Sequence, residues 1–339
     1  MDLNPNRLWV DGCFDFTHHG HSGAILQARR LIPRDQTGEL ICGVHNDKDI
    51  LINKGGMPVM NERERYAHTR SNRWCTRVVE NAPYVTQAAV LDACGCKYVV
   101  HGDDISNDAD GNDCYGPMKQ LGRFRVVKRT EGVSTTDIIH RILSGSRTYT
   151  DVDAEIEDVH LDQLARYATA TNGHDPWCYV FMHDFDHVTV KGRFAFDPRK
   201  TVYIEGDFDL FHVGHIEQLA RLRQRHNADD TRVADGVADD GSVHVIVGIT
   251  CSEDDLPCIM TLAERALGVL SCRYVDGIVL APVAGLATSI RCLEHWRLDD
   301  PQLTLDGQFS YLNRRVVLDR VLSQRDHYVA RNARKGVAS

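Results

Sequence analysis

GCFDFTHHGH, Gly12 to His21, recurs 194 positions later as GDFDLFHVGH, Gly206 to His215, with six of the ten residues identical. Each copy follows an aromatic-aliphatic-acidic triplet, Trp9-Val10-Asp11 and Tyr203-Ile204-Glu205, and precedes an apolar-periodic stretch. That order predicts a strand, a Gly turn and then a helix, built twice. Two imidazoles flanking a glycine where the helix starts face free backbone N–H groups and the positive end of the helix dipole, a setting that favours phosphate. The repeat therefore predicts a duplicated nucleotide-handling domain.

The elements around the first copy alternate. Strands are expected at Leu8–Val10, Leu40–Val44, Arg77–Val79, Tyr98–Val100 and Phe124–Val127. Helices are expected after His18 and at Glu62–Trp74, Thr86–Ala93, Tyr115–Leu121 and Thr135–Leu143. Such alternation implies an α/β fold: two tandem Rossmann-like domains with parallel sheets covered by helices on both faces, and ligands at the carboxyl ends of the strands. The expected boundaries are a catalytic domain over 1–150, a structured linker over 151–200 and a second, degenerate domain over 201–339. In the linker, Ala154–Tyr167 reads as an amphipathic helix followed by strand-like CYVFM and VTVKGRFAF, a spacer between the two domains. Its acidic Glu155, Glu157, Asp158 and Asp162 against Arg166 argue against a membrane-surface helix.

The repeat drifts. ERALGVLSCRYVDGIVLAP (Glu264–Pro282) echoes ERYAHTRSNRWCTRVVENAP (Glu64–Pro83) at an offset of 200, and the polar stretch Ala228–Ser242 accounts for the gain as an inserted surface loop. LDRVLSQRDHY (Leu318–Tyr328) then matches IHRILSGSRTY (Ile139–Tyr149) at an offset of only 179, so the second copy lacks a counterpart of KRTEGVSTTD, Lys128–Asp137. Where the first copy has Lys54 the second reads LPCIM, Leu256–Met260, without a lysine. The second domain is expected to be a structural or regulatory pseudo-domain.

Composition narrows the partners. With 339 residues, 42% hydrophobic and 26% charged, the chain is globular, and its net charge of −9 argues against nucleic acid or anionic membrane as the main partner. No apolar run approaches the ~18 residues of a membrane span, and MDLNPNRLW lacks the basic and apolar character of a signal segment. The eleven cysteines are scattered without a CxxC pair. These features point to reduced thiols and a cytoplasmic setting.

Three segments of the first copy carry the chemistry. His18 and His21 lie three residues apart; a zinc pair or plain helix caps are the alternatives, but no nearby Cys or carboxylate completes a tetrahedral set. Gly20 between them reads as a point of close nucleotide approach, and Asp15 as a residue that fixes the turn rather than a metal ligand. INKGGMPVMNERERY, Ile52–Tyr66, offers Lys54 on a glycine-bearing flexible loop, where the bland reading is a solvated lysine. KRTEGVSTTD combines Lys128 and Arg129 with Ser134, Thr135 and Thr136 before a helix, a second anion cradle that also reads as a Ser134–Asp137 capping box.

Taken in order, Gly12–His21, KGGMPVM (Lys54–Met60), ERY (Glu64–Tyr66) and RTEGVST (Arg129–Thr135) resemble the CTP-using branch of the HxGH nucleotidyltransferases. The tandem arrangement resembles the CTP:phosphoethanolamine cytidylyltransferases, with HTRSNRWC and HGDDI closest to their fungal form. The resemblance implies transfer of the cytidylyl group of CTP to phosphoethanolamine, with Mg²⁺ accompanying the triphosphate and no dedicated protein cage for it. It implies catalytic roles for His18, His21 and Lys54, and a CTP site lined also by Cys13, Phe14, Asp103, Lys128, Arg129, Thr130, Val133, Ser134 and Thr135. Lys54, Tyr84, Asp103 and Asp104 are the expected acceptor-binding residues. The family's choline-side aromatic positions fall on Tyr84 and Asn107, so one aromatic is missing; a quaternary ammonium needs an aromatic cage, whereas a primary one needs hydrogen-bond acceptors. Phosphocholine or glycerol-3-phosphate as acceptor, and a non-catalytic CTP-binding module, are the competing readings. The two copies are also candidates to pair with each other inside the chain.

Overall fold

The structure is a computed structural model that describes residues 3–130, 132–145, 159–226, 242–251 and 257–334. The chain divides into two compact units, Met1–Thr135 and Thr136–Ser339. The first runs β1 (Asn4–Gly12), α1 (His19–Arg30), β2 (Glu39–Val44), α2 (Asp47–Lys54), α3 (Glu62–Ser71), β3 (Arg77–Glu80), α4 (Ala88–Ala93), β4 (Cys96–Gly102), α5 (Gly116–Gln120) and β5 (Phe124–Val127). Helix α6 (Thr135–Ser144) starts where the second unit begins. Then follow α7 (Leu161–Tyr167), β6 (Tyr179–Met182), β7 (Val188–Val190), β8 (Thr201–Gly206), α8 (Val213–His226), β9 (His244–Ile249), α9 (Leu262–Leu270), β10 (Gly277–Leu280), α10 (Leu286–Ser289), β11 (Glu294–Arg297), α11 (Pro301–Thr304), α12 (Arg314–Ser323) and α13 (Arg325–Arg334).

The first sheet has the order β3-β2-β1-β4-β5, every pairing parallel. β1 is central because Leu8, Trp9 and Val10 form the unbroken apolar run that a strand covered on both faces requires. The order reverses between β1 and β4, so the crevice at their carboxyl ends is where this topology receives a ligand. GCFDFTHHGH leaves β1 at that point.

The second sheet repeats part of this plan as β11-β8-β9-β10-β6-β7. β10-β9-β8-β11 mirrors β3-β2-β1-β4, but among the described residues β11 is an edge where the first sheet has β5. The residues lost between the copies are therefore those of the β5 strand and the loop behind it. At the other edge β6 adds parallel to β10, and β7 returns antiparallel to β6, so this sheet is mixed rather than wholly parallel. The segment expected as a spacer thus supplies two strands. Aromatic burial explains it: Tyr179 and Phe181 stack at 5.3 Å, and Phe194 and Phe196 close on them at 5.0 and 4.9 Å over Tyr203, Ile246 and Val279. The first part of the expected helix Ala154–Tyr167 and all but the end of the Ala228–Ser242 insertion lie outside the described residues.

Among the described residues no helix is long and apolar enough to cross a membrane. None of the eleven cysteines is in a disulfide.

Candidate active site

The turn between β1 and α1 is held in a conformation that side chains resist. Phe14, Phe16 and Thr17 have φ of 51°, 61° and 43°, in the left-handed region. The surroundings over-determine it. Asp15 accepts from the backbone N–H of Phe16 (3.2 Å), Val59 (3.0 Å) and Met60 (2.9 Å), tying the turn to the Pro58–Met60 loop. Buried Arg65 donates to the carbonyls of Cys13 (2.6 Å) and Met60 (3.0 Å) and to Asp47 (2.8 Å). Asn61 and Glu64 close a capping box that starts α3 and orients that arginine.

This frame presents His18 and His21 with ring centroids 3.9 Å apart, the second resting edge-on against Phe14 at 5.6 Å. Both rings are half-buried. Burial, then the Lys54 ammonium, lowers the His21 pKa to about 3; burial, then His21, lowers His18 well below the usual imidazole range. Both are neutral near pH 7, and neither Nδ1 has a hydrogen-bond partner among the described residues. Buried unpartnered polar atoms are costly, so they mark a place where a ligand completes the bonding.

Gly20 also lies close to the protein's own side chains. A Cβ there would lie 2.8 Å from Val133 Cγ1 and 3.0 Å from the His18 ring. The glycine makes room for the protein's own side chains, so that Val133 can wedge the His18 ring in place.

Lys54 is not on a flexible loop but is the last residue of α2, with Gly55 behind it in the left-handed conformation (φ 69°) and its N–H bonded to the Leu51 carbonyl. Such a cap fixes the helix end and the direction in which Lys54 leaves it. The residue is solvent-exposed. Charge on the Cys13 sulfur is the largest influence raising its pKa, against desolvation, with Tyr84 and Asp15 adding to the rise. Tyr84 is half-buried, its pKa pushed up to about 12 by burial, with its ring 5.0 Å from His45.

From the far side comes the loop after β5. The Arg129 N–H donates to Asp103 (3.0 Å), the Lys128 carbonyl accepts from Gln27 (2.8 Å), and the Thr135 hydroxyl donates to the Asp15 carbonyl (3.3 Å). The Arg129 charge also acts on both imidazoles. Thr130 and Ser134 are half-buried on this same loop. Cys13, Phe14, His18, His21, Lys54, Tyr84, Arg129, Val133 and Thr135 thus converge on the crevice. Asp103 and Asp104 are exposed: one carboxyl oxygen of Asp103 accepts the Arg129 backbone N–H, and Asp104 lies 4.0 Å from His101.

The match to a cytidylyltransferase-like family model covers residues 9–141, the segment that builds this crevice. Over its whole length the chain is 48% identical to the ethanolamine-phosphate cytidylyltransferase of Saccharomyces cerevisiae, spanning 100% of this chain and 99% of that one. The chain belongs to the ethanolamine-phosphate cytidylyltransferase family. The mouse member is 34% identical over 86% of this chain and 74% of its own. Against choline-phosphate cytidylyltransferase 2 of Arabidopsis thaliana the likeness, 41%, spans only 43% of this chain and 47% of that one.

Like other chains built as tandem repeats, this ethanolamine-phosphate cytidylyltransferase family member permits an internal comparison. In the second copy Asp209 again accepts from two backbone N–H groups, Ile259 and Met260 (both 2.9 Å), and Arg265 again ties the turn to that loop. His212 and His215 keep the stacked geometry at 3.7 Å. Here, however, they are 1% and 4% exposed. Arg314 places Nε 3.3 Å from Asp209 and Nη1 3.5 Å from Asp207, and also donates to the Pro257 carbonyl. Phe211 stands where the first copy has Thr17, and the Leu312 carbonyl would be 2.5 Å from a Cβ on Gly214. The second cradle is filled by its own chain.

Sequence reasoning missed a polar network beneath the first site. Asp11, 4% exposed, accepts from Trp9 Nε1 (2.9 Å), Thr86 Oγ1 (2.6 Å) and Tyr115 Oη (2.7 Å), while His45 stands against Tyr84. Its one sequence signal was the acidic end of the Trp9-Val10-Asp11 triplet; the partners lie 75 and 104 residues away.

Proposed function

We propose that the first copy transfers the cytidylyl group of CTP to phosphoethanolamine, releasing pyrophosphate. The observation that carries this is the convergence of two neutral imidazoles, each with an unpartnered Nδ1, with the Lys54 ammonium in one crevice. A phosphate oxygen of the acceptor attacks the α-phosphorus in line. A new P–O bond forms as the bond to the β-phosphate oxygen breaks, and pyrophosphate leaves with the electron pair. The attacking phosphate is already anionic near neutral pH, since its second pKa is about 6, so no general base is required.

The residues then act by placing and neutralising charge. His18 and His21 donate to triphosphate oxygens, whose negative charge raises both imidazole pKa values on binding. Lys54 stands between the α-phosphate and the attacking phosphate. Arg129, Ser134 and Thr135 hold the triphosphate from the far side, with Cys13, Phe14, Asp103, Lys128, Thr130 and Val133 lining the site. Lys54, Tyr84, Asp103 and Asp104 face the acceptor. Mg²⁺ neutralises triphosphate charge when bound. The second copy is a pseudo-domain without turnover, and the protein works in the cytoplasm.

Pyrophosphate release from CTP and Mg²⁺, with phosphoethanolamine, phosphocholine or glycerol-3-phosphate, tests the reading on wild type and His18→Ala. Release that prefers phosphoethanolamine and vanishes in the variant is the expected result. No release with any acceptor would make the chain a CTP-binding module instead.

A further inference from the structure

His45 is a buried imidazole in the first unit to which the reaction gives no part. It follows the last residue of β2, and its backbone N–H bonds the Gly12 carbonyl at 3.1 Å. It therefore stands at the carboxyl ends of β1 and β2, the edge of the sheet that receives a ligand. The residue is 4% exposed, and its ring lies 5.0 Å from that of Tyr84 at a tilt of 39°. The Lys54 charge acts on both rings. These neighbours place His45 on the same side of the crevice as Tyr84 and Lys54.

Its tautomer is fixed by one bond. Nδ1 lies 3.1 Å from the Ala82 carbonyl, which can only accept, so Nδ1 carries the proton and Nε2 keeps a lone pair. Among the described residues no group donates to Nε2. Burial lowers the His45 pKa and Lys54 and Arg65 lower it further, against the Asp11 carboxylate and the Ala82 bond, so the ring is neutral near pH 7. Asp11 itself already accepts from Trp9, Thr86 and Tyr115. The crevice is thus given one oriented, uncharged acceptor beside an aromatic face.

The second copy shows what accompanies its loss. The Thr250 N–H bonds the Gly206 carbonyl (2.9 Å) as His45 bonds Gly12, and the Ala281 N–H bonds the Ile249 carbonyl (3.0 Å) as Ala82 bonds Val44 (3.1 Å). Those equivalences put Thr250 in the place of His45 and Val283 in the place of Tyr84. The copy that keeps both imidazoles of the turn has therefore given up this histidine, this ring and the lysine together.

We propose that His45 is a specificity-determining residue: its Nε2 accepts a hydrogen bond from the ammonium of phosphoethanolamine, held over the face of Tyr84. A primary ammonium carries three N–H donors and a trimethylammonium none, so phosphocholine would leave the buried acceptor unpaired. The proton stays on the amine, whose pKa lies far above that of a buried imidazole. The inference rests on the reading of phosphoethanolamine as the acceptor and of Tyr84 as lining its site.

The test measures pyrophosphate release with phosphoethanolamine and its mono-, di- and trimethylated forms, the last being phosphocholine, on the full chain and on His45→Asn and His45→Gln. In wild type kcat/KM should fall most at the third methyl, which removes the last donor. Asn at 45 keeps an amide donor near the Nδ1 position for the Ala82 carbonyl but places nothing at Nε2. It should lower the ratio of kcat/KM for phosphoethanolamine to that for phosphocholine on the order of ten- to a hundredfold, the range of one hydrogen bond to a charged group, with KM for CTP unmoved. Gln, whose amide reaches the Nε2 position, should recover part of the ratio. A merely structural role would lower the thermal midpoint and the rates with all acceptors alike, leaving the ratio unmoved, and that result would overturn the proposal. An even fall with each methyl in wild type would overturn it too, and that series needs no substitution to fold. If wild type prefers phosphoethanolamine and His45→Asn keeps that preference, the role of His45 alone fails; if wild type releases no pyrophosphate with phosphoethanolamine, the acceptor reading fails and the inference with it.

Discussion

Replacing Gly20 by Ala puts the reading of the HxGH turn at risk with one methyl group. The added Cβ would sit 2.8 Å from Val133 Cγ1 and 3.0 Å from the His18 ring, where ordinary contact begins at 3.4 Å. Val133 must therefore retreat by about 0.6 Å and His18 by about 0.4 Å. Overpacking of this kind costs about 1–3 kcal/mol, against a gain approaching 1 kcal/mol from alanine's better helix propensity, so stability should fall only slightly. Activity is the more sensitive quantity, because a displacement near 1 Å at a reacting group can cost about a hundredfold. Gly20→Ala is expected to lower kcat/KM by between about ten- and a hundredfold, measured by pyrophosphate release from CTP with phosphoethanolamine. Val133→Ala, which removes the obstructing methyl, should restore most of that loss in the double variant. If Gly20 instead admits the nucleotide's own atoms, trimming Val133 will restore nothing. That outcome, or full activity in Gly20→Ala, would refute the wedge.

Lys54→Met should leave the fold intact and lower kcat by about 10²–10³, as loss of a charge-stabilising donor does; single-turnover kinetics would show whether the loss lies in chemistry rather than in product release. For pH, His21 titrates near 3 in the folded chain and about 6.5 when unfolded, so the unfolded state binds the extra proton between those values. Stability from this group is complete above pH 6.5 and is lost as pH falls toward 3; the thermal midpoint of wild type should drop more steeply over that window than that of His21→Gln. Asp276→Asn should destabilise by about 3–5 kcal/mol in urea unfolding, because it leaves buried Arg223 without its charge partner and weakens the bonds from Trp177 Nε1 (3.1 Å) and the Val245 N–H (3.0 Å). Equilibrium dialysis should count one CTP per chain, since Arg314 occupies the second cradle; two would show that the arginine gives way.

The legible parts of this protein are local. A strand, a glycine turn and a helix start lie within ten consecutive residues, so GCFDFTHHGH and its repeat could be placed on the fold and at the carboxyl end of a strand directly. The loss of the hydroxyl loop from the second copy was equally plain as a missing stretch, and the absent counterpart of β5 among the described residues is its structural form. Lys54 was found as a cation but misplaced, because Gly55-Gly56 signals a loop while the first of those glycines ends a helix.

Other features required chain that is distant in sequence to come together. Nothing near Gly20 announces Val133, and nothing near Asp11 announces Tyr115. LPCIM shows that a lysine is gone, but not that Arg314 fills the vacated cradle. The aromatic stretch before Thr201 reads as a spacer until Tyr179 and Phe181 find Tyr203 and Ile246 to bury against. The sequence by itself determined the duplicated strand-turn-helix, the residue types of the candidate site and which copy keeps the lysine and the hydroxyl loop, because backbone propensity and motif spacing act over a few residues. Only the tertiary structure decided what holds the histidines and what closes the second site, because side-chain packing and ion pairing depend on separations in space that the order of residues does not state.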